Sequence, residues 1–415
     1  VFYAATNVRW RMFLGSVRVL AVMVVIAIIV LGVTLIHDTR TILPLLVNEA
    51  ETYKRVLNPD RIGVIRTKSN TAFKAVRSKL DVKPQFHDVR SSAKLAKSKP
   101  VQVAPHEDRI RSAFLVNWDA QSLTSLQANV DKLNLVFPEW LSVPDSGLSV
   151  SVNIDRRALA VLREHKVPIA PMVTNFFNED WSGKNVARII ATDSTRKGFI
   201  TSIDSVLKAE QFSGVNIDFE ELPDNLDERL AIFQEELYKN LHGLGLLVTQ
   251  DIPPFNTDYD LAKLAQCNDK IVLMAYDQHY ATSQCGSVSD IVWVESAMRS
   301  MLKKVPAQKI LLGLAAYGYD WPTGDEGQDV TYEEAVTTAK ESDAIIRFDK
   351  PSSNLHYKYD DDQDSSHEVW LTDAATTFNL MRLGEAYNVS GYALWRLGGE
   401  DARLWRFYGR SLSDD

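Results

Sequence analysis

Between residues 112 and 395 the chain alternates short, strongly apolar runs with longer amphipathic stretches. The runs are SAFLVNW from 112, LNLVFP from 133, VPIAPMV from 167, GVNIDFE from 214, GLLVTQD from 245, KIVLMAYD from 270, KILLGLAAYG from 309 and VSGYALW from 389, eight in all. A stretch such as LDERLAIFQEELYKNLHGLG, from 226, spaces its apolar residues three and four apart and meets Gly where a helix should stop. Strands that are almost wholly apolar belong in a parallel sheet covered by helices. Eight strand–helix units in roughly 300 residues fit a closed (β/α)8 barrel, a TIM barrel, better than an open doubly wound sheet, and no Gly-rich phosphate loop follows the first run. The interval 326–368 breaks the rhythm and reads as a small α+β insertion, a helix plus a hairpin, between strands seven and eight.

The charge of this 415-residue chain, −8 overall, is unevenly spread. Residues 1–105 hold 17 Lys+Arg against 6 Asp+Glu, a net +11 that leaves −19 on the remainder. An acidic globular part argues against nucleic acid as a partner, because displacing the counterions of a polyanion takes Lys and Arg. Within the basic part, VLAVMVVIAIIVLGVTLI at 19–36 carries no charge and has about the length of roughly 20 residues that a helix needs to span a bilayer. Arg9, Arg11 and Arg18 precede it, so the positive-inside tendency leaves residues 1–18 cytoplasmic and sends the rest across. A cleaved signal peptide would have a shorter apolar core and a small-x-small site after it, whereas this run ends in TLIHDTR. The expectation is a single-pass transmembrane signal anchor at 19–36, a basic, solvated tether at 37–105, and an extracytoplasmic barrel at 106–411, periplasmic or extracellular.

On the fourth run, Asn216, Asp218 and Glu220 alternate with Val215, Ile217 and Phe219. In a barrel strand alternate side chains point inward, and those near the C-terminal end reach the mouth. The apolar set should therefore pack on the outer helices while the polar set climbs the interior. A Glu beside an Asp at strand spacing suits acid catalysis, since the neighbouring anion raises the Glu pKa and keeps it protonated near neutral pH. Glu220, last on the strand, is the natural proton donor.

SGVNIDFE resembles the signature of glycoside hydrolase family 18, the chitinase-like enzymes, whose usual form is Asp-Gly-x-Asp-x-Asp-x-Glu. LMAYD, with Met274, Tyr276 and Asp277, resembles the family's Met-x-Tyr-Asp at the end of strand six. KILLGLAAYGYDW resembles its seventh strand, and VWLTDAATTFNLMRLGEAYNVSGYALWRLGGED its last helix and strand, ending in Trp395. The resemblance covers roughly residues 109–408 and implies hydrolysis of β-linked N-acetylglucosamine polymers, chitin-type, peptidoglycan or exopolysaccharide, without cofactor or metal. In such enzymes the substrate's own N-acetyl oxygen attacks the anomeric carbon, with retention of configuration. By resemblance, Glu220 protonates the leaving oxygen and later activates water. Asp218 accepts the acetamido N–H, Tyr276 donates its hydroxyl to the acetamido carbonyl, Asp277 binds the sugar and Trp395 forms the apolar floor. Asn216, Met274 and Trp118 complete the expected sugar site.

Two departures stand out. Ser213 and Asn216 occupy positions where the family usually has Asp, so Asp218 is expected to lack a carboxylate beneath it with which to share a proton, and Asn216 to donate a hydrogen bond to it instead. The third run, VPIAPMVTNF, lacks the family's usual Ser-x-Gly-Gly, which predicts a differently shaped mouth. The rival class is a sugar-binding protein on the same barrel without turnover, or an accessory of polysaccharide export. Retention of Glu220 favours the enzyme, because the site and not the fold decides function.

Other residues carry weaker signals. Trp118 and Trp140 follow the first two runs, where rings either stack on sugars or pack under loops. Glu139 reads as a loop residue more than a site residue. DDDQD at 360–364 reads as a solvated hairpin turn, since Ser365 and Leu371 stand where a calcium loop needs Gly and Glu. Cys267 and Cys285, the only cysteines, read as free thiols.

Overall fold

All eight apolar runs form strands, and side-chain alternation gives each an outward and an inward face. The computed structural model describes residues 109–409, apart from 178–179, 224–226 and 256–258. The expected cytoplasmic N-terminus, membrane helix and tether at 1–105 lie outside the described residues. Among those described, no helix is long and apolar enough to cross a membrane.

The strands are β1 (Ile110–Leu115), β2 (Leu135–Pro138), β3 (Met172–Thr174), β4 (Gly214–Asp218), β5 (Leu247–Ile252), β6 (Lys270–Leu273), β7 (Ile310–Ala315) and β8 (Gly391–Trp395). Each pairs in parallel with its successor from β3 to β8, β8 pairs with β1, and β1 with β2. A parallel bridge between Val136 and Ile169, with Val136 N donating to Pro168 O and Ala170 N to Val136 O, joins β2 to the lead-in of β3 and closes the ring. The sheet curls into a barrel with no free edge, the condition that lets every strand bury both faces.

Helices follow the strands: α1 (Ala120–Asn129), α2 (Arg156–Glu164), α3 (Asp193–Ala209), α4 (Asp227–His242), α5 (Leu261–Leu264), α6 (Ile291–Met301) and α7 (Ala374–Ala386). Their starts follow from the sequence. Asp119, Asp155, Asp290 and Asp373 each accept a backbone N–H of the first turn, and Thr192 with Thr195 forms a reciprocal capping box. Val215, Ile217 and Phe219 join the outer core, where Phe219 meets Phe233 of α4 at 5.8 Å between ring centroids and Phe233 meets Phe199 of α3 at 6.2 Å. The inner core is a smaller apolar plug of Phe114, Leu135, Phe137, Ala170, Met172, Val272, Leu311 and Ala393. β4 contributes nothing to that plug, and β5 only the half-buried Leu247 at its start. Their inward positions are Asn216 and Asp218, and Thr249 and Asp251, so one side of the barrel interior is polar.

Between β7 and β8 lies a five-stranded antiparallel sheet of Gly318–Pro322, Gln328–Val330, Arg347–Asp349, Asn354–Asp360 and Ser366–Leu371. The helix Tyr332–Glu341 packs Ala335 and Ala339 against Tyr357, Val369 and Leu371 of this sheet. The insertion thus begins with GYDWP, directly after β7. The acidic stretch at 360–364 is the hairpin turn between its last two strands, where Asp361 accepts from the backbone N–H groups of Gln363 and Ser365. Cys267 is buried and Cys285 exposed, and both are free.

Phe233 is fully buried between two other rings on the helical layer that backs β4. Phe233→Ala should cost about 3–5 kcal/mol, read as a lowered midpoint in denaturant unfolding of the protein.

Candidate active site

The polar side of the interior ends in a cluster of acids at the C-terminal mouth. Asp218 is the last residue of β4 and 5 % exposed, and Glu220 follows two residues later, half-buried. Burial, first, and then the charges of Glu220, Asp251 and Glu139 push Asp218 well above the ordinary carboxylate range. Glu220 is pushed up to about 7, again first by burial and then by the charges of Asp277 and Glu221. An acid at about 7 keeps its proton on about half of the molecules at neutral pH and gives it up readily, as a general acid must.

The peptide of Glu220 is clamped by a side chain absent from the sequence-based expectations. Asn175, fully buried just past β3, donates Nδ2–H to Glu220 O at 2.8 Å and accepts Glu220 N–H on Oδ1 at 2.8 Å. This amide lies in the VTNF segment, where the family's small-residue pattern is missing. Among the described residues the Glu220 carboxyl itself has no hydrogen-bond partner, which leaves it open to a ligand.

Tyr276 and Asp277 follow β6. Tyr276 is 8 % exposed and packs with Met274, Val288, Ala315 and Tyr317. Its hydroxyl is pushed well above the ordinary range by burial and by the charges of Asp251, Asp218, Glu220 and Asp277, so it remains an O–H donor. Space for its ring comes from Gly313 on β7, where a Cβ would lie 2.6 Å from Leu273 O and 3.0 Å from Tyr276 Cε1. Asp277, with φ +55°, takes two phenol donors on one oxygen, Tyr317 at 2.5 Å and Tyr319 at 3.1 Å. Burial raises its pKa against the pull of those two bonds.

Trp395 ends β8 and meets Phe114 of β1 edge-on at 5.1 Å, at the top of the inner apolar plug. Trp118 is 60 % exposed, with Arg396 stacked 4.2 Å from its ring centre and its Nε1–H donated to Glu139 at 3.1 Å. Glu139 is therefore tied into the site, contrary to the loop reading, and its charge acts on Asp218. Trp140 takes the packing alternative: it is buried against Phe212 at 5.8 Å and donates to Asn117 at 3.1 Å.

Two expectations at the base of this cluster are corrected. Asn216 does not donate to Asp218. Its Nδ2–H goes to Asp251 Oδ2 at 2.6 Å, while its Oδ1 accepts from Thr249 at 2.5 Å. Asp218 also does not lack a carboxyl neighbour, because Asp251 of β5 supplies one across the sheet. The neighbour stands not along β4 but on the next strand, where parallel register brings it level. Ser213, before the start of β4 and bonded by its backbone to Ile169 and Leu247, is remote from the mouth. Among the described residues no group of three His, Cys, Asp or Glu could hold a metal ion.

A parallel-stranded barrel whose fourth strand raises an Asp and a protonated Glu into a mouth edged by tyrosine and tryptophan defines an acid-catalysing glycoside hydrolase. The glycosyl hydrolases family 18 model matches residues 173–400, and the chain belongs to that family. It is similar to the uncharacterized glycosylase YvbX of Bacillus subtilis (strain 168), 24% identical over 303 residues, 69% of this chain and 87% of YvbX. It is also similar to the cortical fragment-lytic enzyme of the same organism, 25% identical over 261 residues, 59% of this chain and 60% of that protein. Among solved structures, the chitinase of Chromobacterium violaceum ATCC 12472 superposes with a TM-score of 0.66 at 26% identity, over 72% of this chain and 97% of that one. The Bacillus cereus spore cortex-lytic enzyme SleL gives 0.68 at 20% identity, over 73% and 74%, a likeness of fold.

The raised pKa of Glu220 has a stability consequence with a definite sign. A carboxyl titrating at about 7 when folded and near 4.5 when unfolded favours the folded state fully below 4.5 and loses that contribution as pH rises through 7. Glu220→Gln should therefore stabilise the protein at pH 8 relative to wild type, by on the order of 3 kcal/mol, and much less at pH 4.5. Denaturant unfolding at the two pH values measures the difference.

Proposed function

We propose that the protein hydrolyses β-linked N-acetylglucosamine polysaccharide by a retaining, substrate-assisted mechanism. The observation that carries this reading is the grouping of Asp218, Glu220 and Tyr276 at one mouth, with Glu220 holding a proton near neutrality and Tyr276 held as a donor. Similarity to a chitinase and to a cortical fragment-lytic enzyme supports an amino-sugar polymer as substrate.

The chemistry divides among these groups. Glu220 transfers its proton to the glycosidic oxygen as the C1–O bond breaks, and the acetamido carbonyl oxygen of the same sugar closes onto C1 from the opposite face. Positive charge spreads over the resulting five-membered ring. Asp218, as carboxylate, accepts the acetamido N–H and offsets that charge, while the Tyr276 hydroxyl orients the carbonyl. Glu220, now anionic, takes a proton from water as the water attacks C1. Two displacements at one carbon restore the β configuration. Trp395 offers its face to the sugar ring as the floor, and exposed Trp118 extends the aromatic surface. Asp277, tied to Tyr317 and Tyr319, sets the charge next to Glu220 and borders the sugar.

The uncharged run at 19–36 supports a single-pass anchor that holds this hydrolase on the far side of the membrane from residues 1–18.

The test is incubation of the full chain with chitooligosaccharides, their deacetylated counterparts and peptidoglycan. N-acetylated substrates should be cleaved, deacetylated ones should not, and the first product anomer seen by NMR should be β. Glu220→Gln should lower kcat by about 10²–10⁴-fold. Absence of product from every N-acetylated polymer would remove the proposal, and initial α product would remove its mechanism.

A further inference from the structure

Strands β4 and β5 run in parallel register, with Asn216 beside Thr249 and Ile217 beside Gln250. One step on, Asp218 stands beside Asp251 on the same inward face, at a strand spacing of about 4.8 Å. The two carboxyls are 5 % and 3 % exposed. Each keeps one buried oxygen, Oδ1, without a hydrogen-bond partner among the described residues. Two acids this close in a low-dielectric interior do not both ionise, and the pair titrates as a unit that retains one proton across a wide pH range.

The proton has a preferred side. Asp251 Oδ2 accepts the Asn216 amide at 2.6 Å, and Thr249 fixes that amide by donating to its Oδ1 at 2.5 Å. Asp218 has no such donor among the described residues, so although burial raises both acids, the amide favours the charge on Asp251 and leaves the proton to Asp218. The other acids facing the pair are Glu220 and Glu139, which act on Asp218, Glu220 again, which acts on Asp251, and Tyr276, which keeps its proton. All raise the cost of a second negative charge.

A protonated Asp218 cannot serve as the carboxylate that the acetamido N–H requires. We propose that Asp251 is the proton acceptor for Asp218: when the substrate N–H engages Asp218, the Asp218 proton passes to Asp251 Oδ1 and returns when the sugar leaves. This inference rests on the substrate-assisted reading above. The O–H bond on Asp218 breaks as one forms on Asp251, and the pair carries a single negative charge throughout. Asp251 acts through Asp218 and does not touch the sugar, so it is a positioning residue.

The test compares wild type, Asp251→Asn and the exchange variant Asn216→Asp/Asp251→Asn on N-acetylated chitooligosaccharides from pH 4 to 9. In the monoanionic pair an O–H from one carboxyl stabilises the other's charge, which holds the first ionisation low. Asp251→Asn removes that O–H, so the acidic limb of kcat/KM should move up by about one pH unit and kcat should fall about tenfold, with KM little changed. The exchange variant returns a carboxyl to a site next to Asp218 and should bring the limb back. Carboxyl ¹³C NMR of aspartate-labelled protein without substrate should show Asp218 and Asp251 titrating as a pair in wild type and Asp218 alone in Asp251→Asn. An acidic limb that stays put in Asp251→Asn, or that the exchange fails to restore, overturns the proposal, as does independent titration of the two carboxyls in wild type. Wild type that releases no product from N-acetylated substrates overturns the substrate-assisted reading itself, whereas the NMR titration tests proton sharing without any turnover.

Discussion

Burial of several carboxyl groups against one another is the constraint around which the mouth of this barrel is built. Asp218, Asp251, Glu220 and Asp277 come from three consecutive strands, and all four have pKa values raised chiefly by loss of water. Burying an unpaired anion is costly enough that a group protonates first. The surroundings then sort the acids by role. Asp277 receives two phenol donors and Asp251 an amide, which favour their charged forms. Asp218 and Glu220 receive no side-chain donor among the described residues, which favours their protonated forms. Environment, not residue type, thus separates acid from anion within one cluster.

The scaffold makes that cluster tolerable by lining the rest of the interior with buried apolar side chains. The inner plug of Phe114, Phe137, Met172 and their neighbours occupies the barrel wherever β4 and β5 do not line it. Trp395 sits on top of this plug, so its ring is supported from below by Phe114. Gly313 gives up its side chain to let the Tyr276 ring lie against β7. The same strand that carries Asp218 and Glu220 inward is held outward by Val215, Ile217 and Phe219 against α3 and α4. Core packing and site geometry are therefore two faces of one five-residue strand and its extension.

The elements legible in the sequence were those written along one strand. NIDFE shows its inward and outward sets by alternation alone, and the eight apolar runs declare a parallel barrel. What alternation cannot show is the sideways neighbour, because that depends on register between strands distant in sequence. Neither Asp251 nor Asn175 carries a signal along its own run, and Glu139 reads as a loop acid; each joins the site only through contacts between segments distant in sequence. Tyr317 and Tyr319 were hidden for a related reason. They straddle the step from β7 into the insertion sheet, and their shared hold on Asp277 requires that both turn toward the end of β6.

Asn216 and Asp251 are best understood as one substitution spread over two strands. Asp251 Oδ2 lies 2.6 Å from the Asn216 amide nitrogen. A carboxylate at 216 would face a second carboxylate at that distance, and a third would stand just above at Asp218. Such a trio holds charge only if at least one member is protonated and donating. An amide removes the conflict: it donates to Asp251 and accepts from Thr249, so its orientation is fixed without a proton to place. The ionisable group that the family's usual pattern carries along strand four is thereby moved sideways to strand five. Asp218 keeps a carboxyl neighbour in either arrangement, and the amide at 216 is a condition for Asp251, not a loss to the site.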